Sequence, residues 1–366
     1  MSDRMSPPKD SIGGTAASKI LGFSKYGSKH DAYRDITSEM DGTRVKLEPN
    51  FDMIRGQIAE DIIVDLIKGE IEAETGFFIG EMFGNGVVRH PTFPFIHATV
   101  DRVLFDAEGN IRGIVEVKSY NSSFRDFDWE RKDYRCQLEH YDCIFKAAFP
   151  DKVSKHGLDH NLLVVASTDE HTWRTFVKMH ESGDDPKTLK SIMKIEKRRV
   201  DFDGSYGDGA LRDLVSFWTK HIEPRVMPDL DGSDGCKTNL LEAFPSRSGL
   251  LEVDSRHEEY ARIETLLARR RSLKGDALEI EAQRKDLRSR VVEIDSEIAF
   301  IDNQIKFIAG KNKSINTPSA RVTVGVYRGR QRFSKDRFAL DHPALYESYL
   351  EQGQPYETIK VTSREG

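Results

Sequence analysis

Apolar residues recur with three different periods along this chain, and each period predicts a different element. Phe51, Ile54, Ile58, Ile62 and Leu66 repeat at three and four, which predicts a helix over residues 50–69. The same spacing predicts helices over 28–40, 134–148 and 213–221. Residues 162–167 are an uninterrupted apolar run that reads as a buried strand, and 172–180 alternates and is expected to pair with it. Residues 76–89 alternate as strands around a Gly84-Asn85-Gly86 turn. Residues 98–105 and 111–118 read as two more strands, joined by turn chemistry in Asp106-Ala107-Glu108-Gly109-Asn110. The sum is an α/β class: a central mixed sheet flanked by helices.

The third period is seven. Ile263, Arg270, Ala277, Arg284, Val291, Ile298 and Ile305 form one series; Leu266, Leu273, Ile280, Leu287, Ile294, Ile301 and Ile308 form the other. They alternate by three and four, the a/d pattern of a coiled coil over seven heptads. A continuous helix here is roughly 70 Å long at about 1.5 Å per residue. Gly275-Asp276 is a candidate break, and the arginines at two a positions weaken the first half of the seam. The seam either pairs with another chain or folds back on its own first half. Beyond it, residues 311–337 carry eight basic residues against Asp336. Arg328, Arg330 and Arg332 share a strand face there, which suits either DNA contact or simple solvation. A short helix over 343–350 and a strand over 356–362 close the chain.

Against this pattern, two acids stand where apolar residues are expected: Asp101 in the first strand of the 98–118 hairpin, and Glu116 between Val115 and Val117 in the second. Residues i and i+2 of a strand share a face, so Glu116 and Lys118 point the same way, and pairing of the strands brings Asp101 near Glu116. Two carboxylates suit a hard divalent cation such as Mg²⁺, and the lysine suits orientation of a water or stabilisation of a charged transition state. That is a phosphodiester-cleaving arrangement; a surface hairpin with an ordinary Glu–Lys pair is the alternative. His97, four residues before Asp101, is a core or phosphate-contacting histidine or, less readily, a ligand. Gly13-Gly14-Thr15 reads as a turn into a helix, offering N–H groups and a hydroxyl to a phosphate, or as plain capping by Thr15. After Lys118, Tyr120, Phe124, Phe127 and Trp129 interleave with Arg125, Arg131 and Lys132, which suits a nucleic-acid strand or a loop pinned by its aromatics.

Five motifs in order extend the argument: 12–22 with Gly13-Gly14-Thr15, Gly56-Gln57-Ile58-Ala59-Glu60, Asp101, Glu116-Val117-Lys118, and the 134–141 helix with Gln137 and Tyr141. This set resembles the YqaJ-like viral recombinase and lambda-type exonuclease branch of the PD-(D/E)XK nuclease superfamily, over about residues 10–225. The resemblance implies a restriction-endonuclease-like core and an Mg²⁺-dependent 5′→3′ exonuclease on linear double-stranded DNA, with Mn²⁺ able to substitute. It implies Asp101, Glu116, the Val117 carbonyl and Glu60 as metal ligands, Lys118 and Gln137 as catalytic residues, and Thr15, Ser18 and Tyr141 at the DNA phosphate. A single-strand annealing protein and a homo-oligomeric ring are the partners it implies. On this reading residues 1–230 are the nuclease core, 231–254 a linker, 255–310 the heptad segment and 311–366 a basic C-terminal segment. An endonuclease on the same core, or a non-catalytic DNA-binding protein built around the coiled coil, are the competing readings.

Composition changes this picture little. A net charge of −6 does not advertise nucleic-acid binding, yet does not exclude a local basic groove. Three cysteines, Cys136, Cys143 and Cys236, are too few for a disulfide framework or an iron–sulfur cluster and suit a reducing cytoplasm. No apolar run is long enough for a membrane span and no secretion signal is evident, so a cytoplasmic protein is expected.

Overall fold

The computed structural model of the chain describes residues 8–44, 50–82, 87–122, 127–184, 193–202, 206–246, 249–325 and 333–350. It separates into two compact units, residues 1–245 with 356–366, and residues 246–355.

The first unit begins with α1 (Gly14–Ile20), α2 (Lys29–Met40) and α3 (Phe51–Thr75). Short strands follow: β1 (Phe78–Gly80), β2 (Val87–Arg89), β3 (His97–Thr99) and β4 (Arg102–Phe105). Then come the long β5 (Ile111–Asn121), α4 (Lys132–Ala148), β6 (Leu162–Thr168), α5 (Glu170–Glu181), β7 (Lys194–Arg199), α6 (Gly207–Phe217) and α7 (Asp234–Ala243). A π-helical turn, Trp218–Ile222, extends α6. Five strands form one mixed sheet in the order β1-β4-β5-β6-β7, with β5 and β6 parallel and every other pair antiparallel. The parallel pair needs a crossover, and α4 supplies it.

β5 is buried on both faces because helices cover each side. Val115 and Val117 pack with Val164 and Ala166 of β6 under Ile63 and Ile67 of α3 and Trp173 of α5. Val103 and Ile114 point the other way, onto Leu138, Tyr141 and Ile144 of α4. Strand alternation therefore puts Glu116 and Lys118 on the α4 face. Two glycines let α1 approach that face. A Cβ on Gly14 would lie 2.6 Å from Cγ of Gln137 and 3.0 Å from the Tyr141 ring, and one on Gly13 would lie 2.8 Å from Nε2 of His97. The Gly-Gly pair thus acts as a packing device.

Several sequence expectations are corrected. Residues 98–105 are not one strand: β3 pairs with β2 in a separate two-stranded sheet, β4 joins the main sheet, and the chain changes sheets at Val100-Asp101. Residues 76–89 do not form a hairpin, since β1 pairs with β4 and β2 with β3; residues 84–86 lie outside the described residues. Residues 172–180 belong to a helix, α5, capped by the Asp169 side chain on the Thr172 N–H. Its buried Trp173, Phe176 and Val177 follow i, i+3, i+4 spacing. The strand beside β6 is instead the charged β7. Thr15 does not cap α1; that position is Gly13, with no side-chain bond. Residues 231–254 include α7, whose Ser233 side chain caps it and whose Asn239 is buried against His30.

The second unit holds α8 (Tyr260–Ala309), the hairpin of β8 (Ser314–Asn316) and β9 (Arg321–Thr323), α9 (Lys335–Asp341) and α10 (Pro343–Ser348). α8 is one helix of 50 residues and passes Gly275-Asp276 without a break, so the fold-back alternative does not hold. Arg328, Arg330 and Arg332, and the strand expected over 356–362, lie outside the described residues. Among the described residues no helix is long and apolar enough to cross a membrane.

Candidate active site

Asp101 sits at the point where the chain passes from one sheet to the other, one residue before β4. Arg102 of β4 is registered with Val115, so Asp101 comes level with Glu116 just as β4 begins. The contact is direct: Oδ2 of Asp101 accepts the Val117 N–H at 2.8 Å. In a β-strand the N–H and C=O of one residue face the same edge, so the Val117 carbonyl also faces the β4 edge, beside Asp101.

Glu116 is only 2% exposed. Its Oε1 accepts from Nζ of Lys118, while Oε2 is buried and has no hydrogen-bond partner among the described residues. Burial first, and then the Asp101 charge, push its carboxyl up to about 7; Lys118 and the nearby Gln137 amide act the other way. Burial alone works against the Lys118 ammonium, but Glu116 and Asp101 outweigh it and hold the group charged well above the ordinary lysine range. Nζ of Lys118 also lies 5.4 Å from the centroid of the Tyr134 ring. This is a crowded, electron-rich pocket: two acids in a desolvated place, with one lysine offsetting part of their charge.

α4 closes it. Gln137 donates from Nε2 to the Tyr141 hydroxyl at 2.5 Å, and Tyr141 is buried. Burial raises the Tyr141 hydroxyl pKa well above the ordinary value, and the charges of Glu116, Asp101 and Glu60 reinforce the shift. The glutamate of α3 thus belongs to the same electrostatic neighbourhood as the two strand acids. Asp101, Glu60, Glu116, Lys118, Gln137 and Tyr141, read from four separate stretches, converge on this end of the sheet.

The residues read for the DNA phosphate are placed unequally. Thr15 is exposed on the first turn of α1. Ser18 is buried, and its hydroxyl donates to the Thr15 carbonyl at 2.9 Å. His97 is on β3, outside the sheet that holds the acids, and its Nδ1 is 3.1 Å from the Ser11 hydroxyl. Burial pushes its pKa down to about 4, with Arg89 adding to the effect. His140 bonds through Nε2 to the His97 carbonyl at 2.9 Å and through Nδ1 to the Tyr206 hydroxyl, and burial lowers it to about 3. Beyond β5, Phe127 packs edge-on against Tyr120 and Trp129 and stacks on Tyr134, while Phe124 and Arg125 lie outside the described residues. Two arginines support the site, Arg131, which the sequence groups with a nucleic-acid-binding loop, and Arg55, to which it gives no role. Arg131 is ion-paired with Asp133 and lies 4.1 Å from the Tyr134 ring centroid; Arg55 donates to the Ser119 hydroxyl at 3.1 Å. A buried arginine one residue off an apolar stripe was the signal for the second.

Elsewhere, His30, Asp231 and Cys236 bring ligand-type atoms within 4.8 Å of one another. Both ring nitrogens of His30 already have partners, the Asp229 carbonyl and the Asn239 amide, so hydrogen bonding accounts for the cluster.

Three comparisons bear on this geometry. Residues 8–144 match the YqaJ-like viral recombinase domain. The uncharacterized protein YqaJ of Bacillus subtilis (strain 168) is 22% identical over 284 residues, which are 76% of this chain and 73% of that protein. A crystal structure of LHK-Exo in complex with dAMP superposes with a TM-score of 0.37 at 15% identity, over 60% of this chain and 90% of that one. The matched stretch holds α1, the Glu60 helix, both strand acids, Lys118, Gln137 and Tyr141, so the resemblance carried by the ordered motifs is shown where the site is built: residues 8–144 match the YqaJ-like viral recombinase domain family.

Proposed function

We propose that this protein is a divalent-metal-dependent deoxyribonuclease, and more narrowly a 5′→3′ exonuclease that digests linear double-stranded DNA in phage-type recombination. The observation that carries the reading is Glu116: a buried carboxylate beside Asp101, with one oxygen that has no hydrogen-bond partner among the described residues, on the same strand face as a charged lysine. A desolvated carboxylate pair with an unsatisfied oxygen fits a hard cation. Asp101, Glu116 and the Val117 carbonyl would hold Mg²⁺, or Mn²⁺ in its place, with Glu60 assisting. The bound ion would neutralise charge developing on the phosphate and acidify a water.

The chain's own groups do the rest. Lys118 keeps its proton, so it orients the attacking water or stabilises the charge on the phosphate. Gln137, fixed by its bond to Tyr141, positions Lys118 or a phosphate oxygen. Thr15 offers its hydroxyl to the 5′-phosphate, while Ser18 holds the first turn of α1 together. The proposal includes a homo-oligomer and a single-strand annealing partner, both implied by the resemblance of the ordered motifs alone.

The test is hydrolysis of 5′-phosphorylated linear duplex beside the same DNA as a closed circle, with Mg²⁺ and with EDTA, for wild type and Lys118→Ala. Loss of the linear form only, dependent on Mg²⁺ and abolished by the substitution, is the expected result. Cutting of the circle would replace the exonuclease with an endonuclease on the same core. Binding of both without hydrolysis would leave a DNA-binding protein and end the catalytic assignment.

A further inference from the structure

Among the described residues, the apolar seam of the heptad helix is exposed. Its seven d-position side chains, Leu266 through Ile308, are 49–73% exposed, as are Val291 and Ile298 on the a series at 55% and 50%. Exposure of this kind over seven heptads is more than a soluble helix tolerates alone, and three or four heptads suffice for pairing.

Charge decides the orientation. In a parallel pair of identical helices, each g position meets the e position five residues on. That sets Arg269 against Lys274, Asp276 against Glu281 and Glu297 against Asp302, with only Arg290–Asp295 attractive. It also stacks Arg270 on Arg270 and Arg284 on Arg284 in the core. In an antiparallel pair, a layers meet d layers, e meets e and g meets g. The fully overlapped register sets Arg284 against Leu287, Val291 against Ile280 and Ile298 against Leu273. Each core arginine then faces an aliphatic residue and can extend its head to water. Lys274 meets Asp295 and Glu281 meets Arg288, each twice by symmetry; Asp276–Glu297 is the sole like-charged pair. A slip of one heptad in one direction sets Glu281 on itself and Lys274 on Arg288 against the attractions Arg269–Glu297 and Asp276–Arg290, and leaves Ile305 and Ile308 beyond the end of the opposing helix; in the other it sets Arg288 and Arg290 each on itself and Glu281 on Asp295.

We infer that α8 is a dimerisation element, pairing with the same helix of a second copy in an antiparallel coiled coil centred between Arg284 and Leu287. In the single chain Glu281 is 3.2 Å from Arg284 of its own helix; in the pair it lies between that arginine and the opposing Arg288. This inference is independent of whether the core hydrolyses DNA.

Sedimentation equilibrium of the full-length protein tests it, with wild type, Glu281→Lys, Arg288→Glu and the double variant. Both substituted sites are exposed on the helix, and circular dichroism checks that helicity is retained. Each single change turns two attractions into two repulsions, so each is expected to weaken association about tenfold, and the double variant to recover it. A parallel pair predicts the opposite for Glu281→Lys, because the new lysine meets Asp276. Tighter or unchanged association of that variant, or a wild type that stays monomeric at micromolar concentration, would overturn the inference.

Discussion

The sheet unit and the heptad helix use similar side chains for opposite ends. Ile114 and Val164 of the sheet are fully buried within a single chain, whereas Ile280 and Ile294 of α8 are 63% and 56% exposed in theirs. Charges are inverted in the same way. The first unit encloses Glu116 beside Asp101, a costly placement that a fold keeps only where the charge has a use. The helix spreads its charges over its surface, where each is worth little alone and their pattern selects a partner. On the proposed function and the inferred pairing, one region gives up stability for chemistry and the other keeps apolar surface for assembly.

The largest test of that contrast is catalytic. Lys118→Ala is expected to lower kcat by on the order of 10²–10⁴-fold, read by linear-duplex hydrolysis, and, because it strips the buried Glu116 of its ion-pair partner, to lower the unfolding midpoint of the metal-free core as well. Next is packing. Ile114→Ala should cost about 2–5 kcal/mol in urea unfolding, whereas Ile280→Ala, made in the weakly associating Glu281→Lys background, should cost under about 0.5 kcal/mol of core stability. Similar losses at the two sites would erase the distinction between the regions.

A third sharpens the electrostatic side. Glu116 is raised in the folded, metal-free state, so its ionisation opposes folding as pH climbs from the ordinary carboxylate range through about 7. Glu116→Gln should therefore melt higher than wild type in EDTA at pH 8. Mg²⁺ should raise the melting temperature of wild type and leave that of the variant unmoved. A pH dependence of the opposite sign comes from His97 and His140. Both are depressed, to about 4 and about 3, so the unfolded chain takes up their protons first. Stability should fall as pH drops below about 6.5, by up to about 1.4 kcal/mol per unit for each histidine, measured by denaturant unfolding at fixed ionic strength.

Much of the site was legible because its chemistry violates a pattern. An acid between two valines, followed by a lysine on the same face, stands out in any strand, and Asp101 opposite it follows from pairing. Glu60 was different: on sequence it sits off the apolar stripe of α3, and only the ordered motifs gave it a place. The fold was less legible wherever tertiary context overrode local pattern. β7, Lys194–Arg199, carries four basic residues and one acid in six and becomes a strand because β6 offers it an edge. α5 alternates enough to pass for a strand, and the decisive signals were the Asp169 cap and the Trp173, Phe176 and Val177 spacing. Nothing in Val100-Asp101 is a glycine or proline, so the change of sheet there left no mark in composition. For α8, the heptads were plain, but whether they folded back depended on Gly275, whose cost of about 1 kcal/mol a long helix absorbs.

The bond from the Val117 N–H to Asp101 makes this acid a structural clasp as well as a candidate ligand. An alanine there removes a carboxylate and strands an amide at the edge of the longest strand, so a dead enzyme would not by itself report on chemistry. Asparagine, which retains an acceptor in the same place, separates the two losses. A scan that compared only alanines would rank Asp101 above Glu116 for reasons that have nothing to do with the reaction.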